Sequence, residues 1–262
     1  MVRIVIFCLV GLMANTALGQ SNKSKNAASA SEHASVIEAV REYALAYSEH
    51  LPDYTCTQIT HEGSRPPNAI NNPTVEATVI EEEIAYVGRQ EIRKLLRVDG
   101  RPANAGTHKQ AGMSQGEFAY LLNIIFEPAT GADLRWERDE KLNGRKVDVV
   151  AFHVAESRGY VLKQSRGPMR VPFEGFVYAD AQTHAVLRIQ LKCTMIPANS
   201  EIRNLDLTLD YKATLVAGQE FILPSRFVLH FLDGRQHMNE GTFTAYRRFT
   251  ADADIQFEGD TK

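Results

Sequence analysis

The sequence predicts a mainly β protein of α+β type: a curved, unclosed antiparallel sheet, with an N-terminal amphipathic helix and one apolar helix packed in the concave face. Three observations predict it. Apolar and polar residues alternate with period two through most of the chain after residue 54. Turn signals such as Asn143-Gly144 and Asp233-Gly234 punctuate that alternation at hairpin spacing. One stretch, 115–126, is instead apolar on nearly every side, and a helix of that kind is buried on more than one face. The inside of a curved sheet is the simplest place for it.

The chain opens Met1-Val2-Arg3, continues with an apolar run from Ile4 to Ala14, and carries Ala17 and Gly19 at the −3 and −1 positions of a cleavage site near Gly19-Gln20. These features predict a signal peptide over 1–19 and a periplasmic or secreted destination. A spanning helix needs about twenty apolar residues, and neither this run nor any later stretch reaches that length, so no transmembrane segment is expected. Cys8 lies inside the run, not at its end, where a lipid-bearing cysteine belongs. The polar, low-complexity stretch 20–31 reads as a flexible leader, 32–250 as a single β-rich domain, and 251–262 as a polar tail.

Lys and Arg number 29 against 32 Asp and Glu, for a net charge of −3 with no long run of either sign, which argues against a broad nucleic-acid surface. The 44% hydrophobic content is enough for a packed core. Cleavage leaves Cys56 and Cys193, with no CxxC motif and no nearby His. In an oxidising compartment this predicts a structural Cys56–Cys193 disulfide ahead of two free thiols.

The first element is a helix over 32–50, with Val36, Ile37, Val40, Tyr43, Ala44 and Tyr47 at helical spacing and Ser35 with Glu38 as a capping box. Leu51-Pro52 ends it. Strands follow at 54–61, 74–87 and 90–98, then a loop over 99–113 and the apolar helix, stopped by Pro128. Hairpins are expected from 132–141 with 145–155, and from 159–164 with 171–180. Strand 185–195 places Leu187, Ile189, Leu191, Cys193 and Met195 on one face, and 205–215 does the same with Leu205, Leu207, Leu209 and Tyr211. Strands 220–232 and 241–249 make the last hairpin.

Each candidate for chemistry has a plainer reading. Gly112-Met113-Ser114-Gln115-Gly116 matches the GxSxG elbow of serine hydrolases, with His153, His184, His230 and His237 downstream as possible bases. That elbow needs a buried strand leading into it. The preceding Gly-Thr-His-Lys-Gln-Ala cannot supply one, whereas Ser114 with Glu117 forms a helix cap. No HExxH motif or His/Cys cluster calls for a metal, and no cofactor motif is present. Glu81, Glu82 and Glu83 read as a solvated strand, and Trp136 and Phe126 as core. Arg158, Lys163, Arg166 and Arg170 make an exposed basic hairpin tip where an anionic headgroup could dock.

The layout resembles the LolA/LolB/RseB group of exported proteins. The segment Gly175-Phe176-Val177-Tyr178-Ala179-Asp180, continuing through Ala181-Gln182-Thr183-His184 to Ala185-Val186-Leu187-Arg188-Ile189, is similar to that group's hairpin with an Asp-containing turn and a returning Arg. Leu51–Cys56, Phe221–Ser225 and Phe243–Phe249 resemble segments of uncharacterised bacterial exported proteins. The resemblance implies an unclosed barrel whose concave face is covered by helices and holds lipid chains. The expected function is therefore a non-enzymatic exported binding protein for lipid, acyl chains or lipoprotein. A protein-interaction or sensor module of the envelope is the alternative, and a hydrolase using Ser114 comes third. Candidate cavity residues are Leu207, Leu209, Tyr211, Phe227, Leu229 and Phe231 of the sheet with Phe118, Leu122 and Ile125 of the apolar helix. The same side chains could equally fill a closed core.

Overall fold

The computed structural model describes residues 17–66, 76–103 and 117–249. Helix α1 (Ala17–His50) leads into β1 (Tyr54–Arg65), β2 (Glu76–Val87), β3 (Gln90–Val98) and the short β4 (Arg101–Pro102). Helix α2 (Glu117–Phe126) precedes β5 (Asp133–Leu142), β6 (Arg145–Val154), β7 (Tyr160–Leu162) and β8 (Met169–Val171). The chain closes with β9 (Phe173–Asp180), β10 (Val186–Cys193), β11 (Asn204–Val216), β12 (Gln219–Leu232) and β13 (Gln236–Arg248). Eleven strands form one antiparallel sheet in the order β4-β3-β2-β1-β13-β12-β11-β10-β9-β6-β5, and β7 and β8 pair separately. β4 and β5 are its two ends, so the sheet does not close.

Local chemistry explains the tight turns. Asn143 and Gly144 both take positive φ, 50° and 85°, the left-handed pair that a two-residue hairpin turn between β5 and β6 requires. The 159–180 region differs from the expected single hairpin. Pro172 has no N–H to donate to a ladder, so the strand breaks there. Its first part pairs in β7–β8, and its second returns as β9 beside β6. In β10 a register irregularity between Val186 and Arg188 takes Leu187 out of the expected face. Leu187 packs instead with Leu142, Val147, Val149 and Tyr178 in a small second cluster, and Met195 stands 76% exposed.

α1 also departs from expectation. It takes in the 20–31 stretch predicted as a flexible leader, where no Gly or Pro interrupts residues 20–50. Ser35 is no N-cap: its hydroxyl donates to the Ser31 carbonyl at 3.0 Å, the back-bond of a helix interior. The signal-peptide residues 1–16, the GxSxG segment with Ser114, most of the 99–113 loop and the 251–262 tail lie outside the described residues.

Both helices sit on one face of the sheet. Val40, Ala44 and Tyr47 of α1 and Leu121, Leu122, Ile125 and Phe126 of α2 join a single core cluster with the inward residues of the strands. His33 stacks on Trp136 of β5 with ring centroids 3.8 Å apart, while Glu49 faces Arg89 of the β2–β3 turn at 3.8 Å. α1 therefore reaches from one free edge of the sheet to the turn near the other.

Candidate functional site

The roofed face of the sheet divides into an apolar half and a polar strip. The apolar half lies on β9 to β12. Cross-strand registration places Leu207 opposite Leu229 and Leu209 opposite Phe227. These four side chains and Tyr211 are at most 5% exposed. Phe231 is half-buried against the same cluster, and Leu122 and Ile125 of α2 are fully buried in it. Phe118 lies in α2, with its side chain outside the described residues. Tyr47 fixes α1 to this half: its hydroxyl donates to the Ile222 carbonyl at 2.8 Å, and its ring meets Tyr211 edge-on at 6.0 Å.

The polar strip lies on β1, β2 and β3, and sequence reading missed it. Arg93 Nε donates to Glu91 Oε1 at 2.5 Å, and its Nη1 donates to Glu82 Oε2 at 3.1 Å and Gln58 Oε1 at 3.0 Å. Gln58 in turn donates to Thr60 Oγ1 at 2.8 Å. The Arg93 and Glu91 side chains are 9% and 2% exposed. The expected solvated strand at Glu81–Glu83 is thus wrong for Glu82, which is in phase with buried Ile80 and Ile84, while Glu81 pairs with exposed Arg97. That phase was the available signal. A charge at a core-phase position needs a partner on the next strand, and Arg93 in β3 supplies it.

The expected Cys56–Cys193 disulfide is also corrected. Both thiols are free and buried. β1 and β10 are four strand spacings apart in the sheet order, about 19 Å along the ladder, against a Cα separation of roughly 7 Å that a bridge tolerates. Burial pushes each thiol up to about 12 from the usual 9.0. A pKa raised on folding contributes stability that is complete below about 9 and is lost as pH rises towards 12. Urea midpoints should therefore fall between pH 8 and 11. At pH 8 Cys56 and Cys193 should react with a thiol reagent only after unfolding, and without prior reduction; a requirement for reductant would restore the disulfide.

Among the described residues no group of three or more His, Cys, Asp or Glu is placed to hold an ion. His230 and His237 do not meet. His230 registers with Met238, whereas His237 stacks on Phe231 at 4.2 Å and bonds to Asp233 at 2.7 Å. A groove of about 380 Å³ opens at this end of the sheet, lined by Gly63, Arg65, Asn204, Phe231 and Met238 among others.

Outside the small cluster around Leu187 and Val149, the other face of the sheet is ionic. Arg188 bonds Asp210 at 2.5 Å, and Arg226 bonds Glu240 at 2.6 Å, in cross-strand pairs. A charged side chain facing lipid at mid-bilayer costs about 2–4 kcal/mol, so this face suits water. No described helix is long and apolar enough to cross a membrane. The arrangement defines a class: a one-sided open β-sheet with a helix-roofed apolar interior and a charged exterior.

No family model matches the chain, and no curated protein sequence matches it. Among solved structures it is similar to a LolA superfamily protein from Nitrosomonas europaea, at 7% identity and a TM-score of 0.42 over 81% of this chain and 93% of that one. It is also similar to a DUF1329 family protein from Desulfovibrio piger, at 9% identity and a TM-score of 0.38 over 85% of this chain and 97% of that one. A third likeness is to the Mycobacterium tuberculosis lipoprotein LppX, at 7% identity and a TM-score of 0.31 over 84% and 98% of the two chains.

Proposed function

We propose that this chain is an exported, non-enzymatic binding protein that holds an apolar ligand, an acyl chain of a lipid or lipoprotein, between the sheet and α2. The observation that carries this reading is the separation of faces: an apolar interior roofed by two helices, in a sheet whose exterior is charged and whose edges do not close. α2 presents Leu121, Leu122, Ile125 and Phe126 to that interior, and a chain of methylenes can replace those contacts if α2 shifts. Each buried CH₂ contributes about 0.8 kcal/mol, so a dozen leave several kcal/mol after ordering costs. The polar strip beside the apolar half suits the polar end of such a ligand.

The test is native mass spectrometry after gentle purification, followed by titration with a fluorescent fatty acid. Saturable binding is expected, and Leu207→Trp should weaken it about tenfold or more by occupying the ligand's volume. A thermal midpoint measured alongside separates occupancy from unfolding. Absence of both co-purifying lipid and saturable binding after lipid challenge would overturn the reading. The groove beside Phe231 and Met238 favours a second reading, an envelope protein partner docked at that end. Cross-linking through position 238 in cell extracts distinguishes it.

A further inference from the structure

Between β6 and β9 the chain leaves the main sheet for the β7–β8 hairpin, and the charged residues of the hairpin itself are all basic. From Tyr160 to Phe173 it carries Lys163, Arg166 and Arg170 with no Asp or Glu; Glu156 and Arg158 precede it, and the Glu201 carboxylate accepts from Ser165 N at its tip, beside Arg166, which leaves a net excess of cations. All four basic residues are exposed. Among the described residues none of the four has a carboxylate within 4.0 Å, whereas Arg97, Arg138, Arg188 and Arg226 each have one. This local excess of cations sits on a chain whose net charge is −3.

The hairpin is built to hold that charge outward. Val161 registers with Arg170, so Val161, Lys163 and Arg170 share a face, opposite the one that sends Leu162 and Val171 into the core. Its tip is tied to the neighbouring turn, with Ser200 and Glu201 donating to Gln164 and Ser165 donating to Glu201. Thr194 N donates to the Pro172 carbonyl at 2.9 Å, which brings the next residue, Met195, beside the hairpin. Met195 is 76% exposed at a φ of 47°, a left-handed conformation uncommon for a side chain of this kind. The result is a hairpin with exposed basic side chains and one exposed large apolar side chain on the adjoining turn.

We infer that the β7–β8 hairpin and Met195 form a docking surface for a bilayer bearing anionic phospholipid. Guanidinium and ammonium groups donate to headgroup phosphates, and Met195 enters the interfacial layer. A deformable, densely anionic bilayer surface meets these exposed cations without the individually matched carboxylates that a folded protein partner must supply. Because Leu162 and Val171 are also part of the roofed core, docking here brings that interior against the membrane. The inference rests on the acyl-carrier reading for its purpose, since it gives the carrier a place to load or release.

The test is flotation of the purified mature chain with vesicles of phosphatidylcholine alone and of phosphatidylcholine mixed with phosphatidylglycerol. Binding is expected to the mixed vesicles only, and to fall with added salt. Lys163→Gln, Arg166→Gln and Arg170→Gln together should weaken it on the order of a hundredfold, about fivefold per charge. Met195→Ser should weaken it severalfold. All four positions are exposed, and an unchanged thermal midpoint confirms folding. Equal binding to both vesicle types, or indifference to the triple substitution, overturns the inference. So does retention on an immobilised acidic peptide with no binding to mixed vesicles, which points to a protein partner. Fatty-acid titration without vesicles reads the carrier function separately. Intact titration with no flotation sinks the docking surface alone, and flotation with no titration sinks the carrier alone.

Discussion

Replacing Arg93 with methionine is expected to destabilise the fold by about 3–5 kcal/mol, the usual cost of removing one partner from a buried ion pair. The guanidinium bridges Glu91 and Glu82 and also bonds Gln58, and the Glu91 side chain is 2% exposed. Without the cation the carboxylates that it bridges, Glu82 of β2 at 18% exposure and Glu91 of β3 at 2%, both lose their guanidinium partner. Acidification should recover part of the loss, because protonation removes the uncompensated charge. The triple variant Arg93→Met, Glu82→Gln, Glu91→Gln should be closer to wild type than Arg93→Met alone. Chemical denaturation at pH 7 and pH 5 measures both effects. A single variant within 1 kcal/mol of wild type would show that the strip is solvated and the cluster dispensable.

Gly175→Ala is expected to be nearly as damaging, through sterics instead of charge. A Cβ at this position would lie 1.8 Å from the Gln190 carbonyl oxygen and 3.0 Å from Phe152 Cζ. The first obstacle is backbone, so β9 and β10 must separate where Gly175 registers with Leu191. Overpacking against side chains costs about 1–3 kcal/mol, and a main-chain clash belongs at or above the top of that range. For a domain of this size the thermal midpoint should fall by roughly 6–12 °C. A fall of under about 2 °C would mean the two strands part easily. Since β9 and β10 carry Val177, Ile189 and Leu191 into the roofed interior, fatty-acid affinity should drop with stability.

Much of the architecture was legible in the sequence, and particular residues show why. Leu205, Leu207 and Leu209 alternate with polar neighbours without a break, and the observed strand buries all three. Asn143-Gly144 names its turn almost alone, and the apolarity of 115–126 required a buried helix face, which α2 shows at Leu121, Leu122, Ile125 and Phe126 while Tyr120 stays exposed. What escaped depends on interactions between distant segments. The split at Pro172 becomes readable only once β6 is known to be the partner of β9. The Cys56–Cys193 bridge was plausible while strand order was unknown, and the order separates the two thiols. Leu187 followed the alternation in sequence and left it in space, because one irregularity re-phases a strand. The polar strip was hidden differently. Glu82 sits among three consecutive glutamates, whose composition suggests solvent while its phase points inward.

The pairing of β1 with β13 has a consequence for the order in which the molecule is made. In the main sheet almost every other pairing joins strands that follow one another along the chain, so β1 to β4 and β5 to β13 can each begin as a local meander. The two meanders meet at a seam that sets Tyr54 opposite Arg248, near the opposite ends of the sequence. Closing so long a loop is slow, because its entropy is lost before the contacts that reward it are gained. The middle of the finished sheet is therefore the last part to assemble. Because the chain is synthesised N-terminus first, the final strand is also the last to arrive, and the seam can close only once the rest of the sheet's sequence has been made.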